Sequence, residues 1–272
     1  MYQRLRDKNK WGPMAGIDVV LAKEAEQSFS HPIVGHSFVG KSKSRLVSPA
    51  DYSLWLVTAE LEDSTQLELP ELHGEQSIYV VSGSLQVDGK RVCPQKGAVI
   101  IEGNAQPNMR AIGDTVIVHM GPTDALQTNA EPDPDFIVGD STHVIGPRGT
   151  FEAIEPTRDT HYYADSTCDH CRLTLLYTSR STEYVSATHS HSTDELIHLL
   201  WGQVRLGSLE LEAGDTLAVA KDKRYGFRSG PNGFGFLNYR QGPSEQIVER
   251  GSTPRVEGGL VNGLHPVMDL IQ

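Results

Sequence analysis

Residues 197–206, IHLLWGQVRL, match residues 78–87, IYVVSGSLQV, without a gap at an offset of 119 positions. The same offset places residues 54–57, LWLV, on residues 173–176, LTLL. Self-similarity at a fixed distance is the sequence signature of a repeated structural unit. We therefore expect two copies of one unit, in which each of these apolar stretches forms a strand.

The glycines around these stretches mark the turns. Gly83 and Gly202 coincide at the offset, and the next pair, Gly97 and Gly214, is out of step by two positions, as expected for hairpins of different length. Short apolar runs separated by glycine, proline and aspartate favour many short strands over helices. The chain is therefore predicted to be all-β, with one short helix around residues 21–27.

The predicted organisation has four parts. They are an N-terminal unit at residues 14–125, a linker at 126–150, a C-terminal unit at 151–240 and a tail at 241–272 that packs on the two units. The linker is assigned from its proline, aspartate and glycine content, which is typical of connecting segments.

Composition limits the function classes. The chain has 272 residues, of which 38% are hydrophobic and 22% charged, as in globular proteins. A net charge of -11 gives no support for binding nucleic acid or an anionic membrane, so a small molecule is the expected partner. No apolar run is long enough for a membrane span or a secretory signal, and an odd count of three cysteines suits a reducing compartment. These features predict a cytoplasmic location.

The stretch HSHSTDELIHLLWG, residues 189–202, resembles the first motif of the cupins. His189, one residue, His191, three residues, Glu195, six residues and Gly202 reproduce its spacing. Downstream, GDTLAVAKDKRYGFRSG resembles the second motif, with Tyr225 at the position of its usual histidine. The resemblance is to a bicupin and implies tandem double-stranded β-helix (jelly-roll) barrels, with metal ligands in the C-terminal one.

His189, His191 and Glu195 make sense as a ligand set. Side chains two positions apart on a strand share a face, and Glu195 would enter from the next strand. Two imidazoles and one carboxylate suit Fe(II), although Mn, Ni, Cu or Zn could also occupy such a site. The alternative is that the three are polar surface residues at a hairpin.

Tyr225 departs from the family pattern and has three possible roles. It could ligate a ferric ion as phenolate, donate a hydrogen bond or proton to a metal-bound substrate, or pack in the barrel mouth. A phenol has an ordinary pKa near 10, so direct ligation requires the cation to lower that pKa substantially. We therefore expect a catalytic acid–base role.

In the N-terminal unit the positions of the three ligands hold Pro70, Leu72 and Gln76. We expect this unit to be structural or dimerising and to bind no metal. His73 and Glu75 lie nearby at the wrong spacing and are predicted to sit on a solvated hairpin tip.

Strand alternation also predicts a pocket lined mainly by apolar and aromatic side chains, suited to a small, mostly hydrophobic molecule. Its predicted members are Tyr177, Ile197, Leu199, Trp201, Phe227 and Asn238. His198 follows Glu195 by an odd number and should point away from the metal. Cys168 and Cys171 form a CxxC but lack a second ligand pair, so ordinary thiols are favoured over zinc or a redox pair.

The resemblance suggests a non-haem Fe(II) oxygenase or dioxygenase acting on a small phenolic, enolic or keto substrate, because many cupins are dioxygenases. One alternative is a metal-dependent isomerase or lyase that uses Tyr225 as acid–base. The other is a non-catalytic small-molecule-binding cupin. A homodimer is expected because exposed strand edges commonly pair.

Overall fold

All regular elements described are β-strands. The structure, a computed structural model, describes residues 16–23, 26–28, 30–31, 36–49, 52–71, 73–123, 137–147, 150–152, 158–165, 172–181, 183–242, 244–248 and 255–257. In chain order the strands are β1 (Ile17–Val20), β2 (Glu26–Ser28), β3 (Ser30–His31), β4 (His36–Val39), β5 (Ser42–Val47), β6 (Leu54–Leu61), β7 (Gln66–Glu68), β8 (Gln76–Val87), β9 (Arg91–Pro94), β10 (Ala98–Ile101), β11 (Met109–Pro122), β12 (Thr142–Ile145), β13 (Thr150–Glu152), β14 (Arg158–Asp165), β15 (Leu173–Arg180), β16 (His189–His191), β17 (Glu195–Leu206), β18 (Leu209–Glu212), β19 (Thr216–Val219), β20 (Arg228–Gln241), β21 (Ser244–Val248) and β22 (Arg255–Glu257).

The helix expected around residues 21–27 is wrong for the described residues. Residues 22–23 form a turn and Glu26–Ser28 is a strand that pairs with β5. The apolar spacing that suggested a helix is outweighed by strand pairing. In the described part of the chain, no helix is long and apolar enough to cross a membrane.

The internal repeat of the sequence recurs as a repeat of strands. β6, β8 and β11 correspond to β15, β17 and β20 at an offset of 119 residues, and β9 and β10 correspond to β18 and β19 at 118. Each set is joined in the same order, β10-β8-β11-β6 in the first sheet and β19-β17-β20-β15 in the second. The two halves of the chain therefore build two equivalent antiparallel sheets.

The hairpin after each repeat differs by one residue, not by the two that the glycine pattern predicted. The carbonyls of Gly97 and Asp215 accept equivalent hydrogen bonds from β8 and β17, so these two residues correspond. Gly214 then corresponds to Lys96, and both have positive φ, +92° and +64°. A lysine can occupy the left-handed region at a modest energetic cost, which hid the true alignment.

The two sheets exchange an edge strand. β1 pairs with β19 of the second sheet, with Ile17 opposite Val219, although it belongs to the predicted N-terminal unit. β12, from the predicted linker, pairs with β10 of the first sheet, with Ala98 opposite Ile145. The spatial units therefore cut across the boundaries proposed from the sequence, and the division into 14–125 and 151–240 stays a prediction.

Three hydrophobic clusters follow from strand alternation. Trp55 and Val57 on β6 face the interior of the first sheet, whereas the intervening Leu54 and Leu56 face a cluster shared by both sheets. The equivalent leucines of β15, Leu173 and Leu175, enter the same shared cluster. A third cluster fills the interior of the second sheet. Each fully buried leucine contributes about 2 kcal/mol, so the shared cluster joins the two halves firmly.

Gly202 lies at a register shift in the pairing of β17 with β20. Its φ is +78°, and a Cβ there would lie 2.3 Å from the carbonyl oxygen of Gly233. Gly83 has the same φ in the first sheet. The coinciding glycines of the sequence therefore mark a position where the backbone approach permits no side chain.

Candidate functional site

The predicted metal ligands lie on β16 and at the start of β17. His189 and His191 are on β16, which pairs with the tail strand β21, with His191 opposite Gln246. Glu195 is the first residue of β17 and is 1% exposed. The Tyr52 hydroxyl holds its backbone, accepting a hydrogen bond from the Glu195 N–H (2.9 Å) and donating one to the Glu195 carbonyl (2.6 Å). Tyr52 comes from the first half, so that half helps to position Glu195.

The two histidines, Glu195 and Tyr225 do come together. The His189 and His191 rings have centroids 5.1 Å apart, and His191 Nε2 is 3.7 Å from Glu195 Oε2. The Tyr225 ring lies 4.5 Å from that of His189 and 6.4 Å from that of His191. Backbone hydrogen bonds of 3.0 and 2.9 Å between His189 and Tyr225 fix this approach. Burial, the largest cause, lowers the pKa of His189, which favours a neutral imidazole.

Sequence reasoning missed Arg240, a buried cation in the same cluster. Its side chain is 1% exposed, and Nη1 lies 3.5 Å from Glu195 Oε2. Asn238, predicted as a polar contact, donates a hydrogen bond to the same oxygen at 2.8 Å. Glu195 and Arg240 stand directly opposite each other in the β17–β20 pairing. Period two from Asn238 would have indicated Arg240, because residues two apart share a face.

Arg240 also contacts the imidazole of His191. Nη1 is 3.1 Å from Nδ1 and 3.2 Å from Nε2 of that ring. Nearly equal distances to both ring nitrogens place Nη1 over the face of the imidazole, since a donor in the ring plane would approach only one nitrogen. One cation thus contacts His191 and pairs with Glu195.

The chemical types of the predicted ligands suit a divalent ion, but Arg240 contacts two of the three, His191 and Glu195, and the metal assignment stays a prediction. In the residues that the structure describes, no group of three His, Cys, Asp or Glu side chains is arranged so that one ion could contact all three. The carboxylate of Glu195 is instead compensated by Arg240, as a buried charge requires. Glu195 Oε1 has no hydrogen-bond partner among the described residues.

A cavity of about 180 Å³ opens beside this cluster, between β14, β15, β20 and residues 184–191. Three arginines line it, Arg158, Arg180 and Arg240. Three aromatic rings form an apolar wall, Phe227, Phe234 and Phe236, with ring centroids 5.2 to 5.9 Å apart. Among its described lining residues there is no aspartate or glutamate. The cavity is therefore cationic within a chain of net charge -11.

Two of the six predicted pocket residues, Phe227 and Asn238, line this cavity. Ile197 and Leu199 point inward as expected but pack in the hydrophobic cluster of the second sheet. Trp201 lies 38% exposed, because a register shift between Leu199 and Trp201 in the pairing with β20 breaks the alternation.

Tyr177, the remaining predicted member, packs on the cluster shared by the sheets and accepts a hydrogen bond from Trp201 Nε1 at 3.0 Å. His198 is buried against Thr216, as its odd spacing indicated, and burial lowers its pKa to about 4. Cys168 and Cys171 lie outside the described residues.

The corresponding place in the first sheet holds different chemistry. Gln76 stands at the position of Glu195, and its Oε1 lies 2.6 Å from His119 Nε2. His73 and Glu75, expected on a solvated tip, are buried, with exposures of 3% and 6%. Glu75 Oε2 accepts a hydrogen bond from the N–H of Arg172 in the other half (2.8 Å), and burial raises its pKa to about 7. Contacts with the other half explain the burial of Glu75, whereas the His73 ring bonds the backbone carbonyls of Gly74 and Ala105 in its own half.

Comparison with known proteins identifies structural neighbours only. No protein-family model and no curated protein matches the chain. A protein described as glyoxylate-induced, from Pseudomonas aeruginosa, is 16% identical with a TM-score of 0.65, and the match covers 88% of this chain and 91% of that one. An oxalate decarboxylase from Bacillus subtilis is 13% identical with a TM-score of 0.61, covering 85% and 78%.

These neighbours are cupin-type proteins. Identities this low carry the fold and not the activity. The predicted fold is confirmed: the chain is all-β and shares the jelly-roll fold of these neighbours.

Proposed function

We propose that the C-terminal unit binds a small organic carboxylate that carries an apolar or aromatic part. The observation that supports it is a cavity lined by Arg158 and Arg180, besides the Arg240 that pairs with Glu195, and by a wall of three phenylalanines, with no acidic residue among its described lining. Guanidinium groups bind carboxylates through paired, charge-assisted hydrogen bonds. Aromatic walls accommodate the apolar remainder of a ligand.

The size of the cavity narrows the ligand class. At about 180 Å³ it lies below the roughly 300–1,000 Å³ typical of pockets for drug-sized ligands. A simple carboxylic acid with one short or aromatic substituent fits this volume.

Calorimetric titration tests the proposal. Benzoate or phenylacetate should bind with a Kd below about 1 mM, while benzamide, the neutral isostere of benzoate, should bind at least ten-fold more weakly, since hydrogen bonds to charged groups contribute about 1.5–3 kcal/mol. Arg158→Met should weaken binding of the acids about ten-fold or more. Arg205→Met is the matched control, because Arg205 lies on the surface, paired with Glu210.

Equal binding of benzamide and benzoate would contradict the proposal. So would a loss in Arg205→Met as large as that in Arg158→Met, because the effect would then follow overall charge and not the cavity.

A metal-dependent enzyme is the second candidate, favoured by the 3.7 Å approach of His191 Nε2 to Glu195 Oε2. It covers the Fe(II) dioxygenase and the isomerase or lyase suggested by the cupin resemblance, and it requires Arg240 to withdraw from both residues. Metal analysis of freshly purified protein, then oxygen uptake with Fe(II) and phenols, would test it. In that case Tyr225→Phe should reduce turnover and leave the metal content intact. The homodimer and the cytoplasmic location stay predictions from the sequence.

A further inference from the structure

We infer that the Arg240 guanidinium takes the place of a divalent ion in the C-terminal unit, so that the site carries a built-in organic cation and excludes metal. Arg240 contacts two of the three predicted ligands, His191 at 3.1 Å and Glu195 at 3.5 Å. Both it and Glu195 are 1% exposed. The inference concerns the same site as the proposed carboxylate binding but does not depend on it.

The charges of the cluster are already matched without a metal. The buried carboxylate of Glu195 needs one positive charge, and Arg240 supplies it. An arginine stays protonated at any ordinary pH, so this charge cannot be removed by titration. A divalent ion on Glu195 would lie within a few ångströms of the guanidinium, and like charges at such distances in a buried site repel strongly.

The predicted ligands already make contacts with other protein groups. Glu195 Oε2, the oxygen that faces His191, also accepts the hydrogen bond of Asn238 Nδ2 at 2.8 Å. Arg240 Nη1 lies over the face of the His191 ring, as its two distances to the ring nitrogens show. His189 turns its Nδ1 to the carbonyl of Ala187 at 2.9 Å. Arg240 and Asn238 thus engage His191 and Glu195, whereas the Nδ1 bond of His189 leaves its Nε2 open.

The first half of the chain supplies an independent comparison. At the offset of 119, Glu195 corresponds to Gln76 and Arg240 to Gly121. A Cβ on Gly121 would lie 2.6 Å from the Trp55 ring, so that ring fills the space that the arginine side chain takes in the second half. The carboxylate and the cation are therefore present together in one half and absent together in the other, as expected if each exists to neutralise the other.

Metal titration of the full chain tests the inference. After treatment with a chelator and its removal, the protein is dialysed against Co(II), and bound metal is measured by mass spectrometry and by the visible d–d absorption of the ion. The wild type should hold well under one equivalent. Arg240→Met should bind close to one equivalent, with an affinity increased at least about 100-fold by removal of the neighbouring charge. Arg240→Met with His191→Ala should lose it again.

Two results would overturn the inference. One is stoichiometric Co(II) in the wild type, a measurement that needs no variant and would support the metal-dependent candidate. The other is an Arg240→Met protein, or Arg240→Gln if Arg240→Met does not fold, that keeps the wild-type circular dichroism yet gains no metal. Because these titrations contain no carboxylate, failure of the proposed ligand binding would leave their outcome unchanged.

Discussion

Removal of Arg240 should destabilise the protein through the charge that it leaves behind. With Nη1 3.5 Å from Glu195 Oε2, Coulomb's law at an effective dielectric constant of about 20 gives an attraction of about 5 kcal/mol. Removing one partner of a buried pair typically costs about 3–5 kcal/mol, because the other charge stays buried. We therefore expect Arg240→Met to lower the free energy of unfolding by about 3–4 kcal/mol.

A double-mutant cycle separates the charge from the packing. Glu195→Gln removes the carboxylate, and in its presence Arg240→Met should cost at least 2 kcal/mol less, since no charge is then left unpaired. Urea unfolding in the presence of a chelator, followed by tryptophan fluorescence, measures all four proteins. Arg205→Met, which breaks the exposed pair with Glu210, should change stability by about 1 kcal/mol or less. Additive effects of the two site mutations would refute the reasoning.

Three further predictions use the same unfolding assay. Burial raises the pKa of Glu75 to about 7, above its ordinary 4.5. Its contribution to the free energy of unfolding is therefore full below pH 4.5 and falls by about 3 kcal/mol as the pH rises through 7. Glu75→Gln should flatten the pH dependence of stability between pH 5 and 8, and an unchanged pH dependence would contradict this assignment. Burial lowers the pKa of His198 to about 4. Its contribution to the free energy of unfolding is therefore full above pH 6.5 and is lost as the pH falls through 4. His198→Asn should flatten the pH dependence of stability between pH 6.5 and 4, whereas a dependence as steep as that of the wild type would show that another group is responsible. Gly202→Ala, whose Cβ would lie 2.3 Å from Gly233, should lower the free energy of unfolding by about 3 kcal/mol or more. The control Gly207→Ala, where φ is +61° but the space is open, should lower it by only about 1 kcal/mol. Equal losses of stability would mean that the backbone conformation alone matters.

Local patterns in the sequence predicted much of the fold. The offset of 119 between residues 78–87 and 197–206 recurs in β8 and β17, because a repeated apolar alternation imposes the same strand and the same buried face. The approach of His191 to Glu195 also follows from period two and the cupin spacing. These features depend on residues close together in the chain, which sequence reasoning handles well.

The remainder depends on contacts between distant residues. Arg240 is buried because Glu195 stands opposite it in another strand, and an arginine considered alone suggests a surface position. Glu75 is buried because the other half covers it, with Tyr239 donating a hydrogen bond to its carbonyl. The exposure of Trp201 follows from a register shift with β20. Period two from Asn238 indicates the face of Arg240, but none of the cross-strand partners has a signature in the local sequence.

The exchanged edge strand also matters for protein synthesis. β1, with the apolar sequence IDVV, pairs with β19, about 200 residues later in the chain. At translation rates of about 5–20 residues per second, β1 leaves the ribosome some 10–40 seconds before its partner exists. During that interval it is an unpaired apolar strand, the type of segment that chaperones bind and that otherwise aggregates. This early strand is therefore among the last of the described strands to find its partner, and a ribosome-bound nascent chain would be most vulnerable to misassembly just before Val219 emerges.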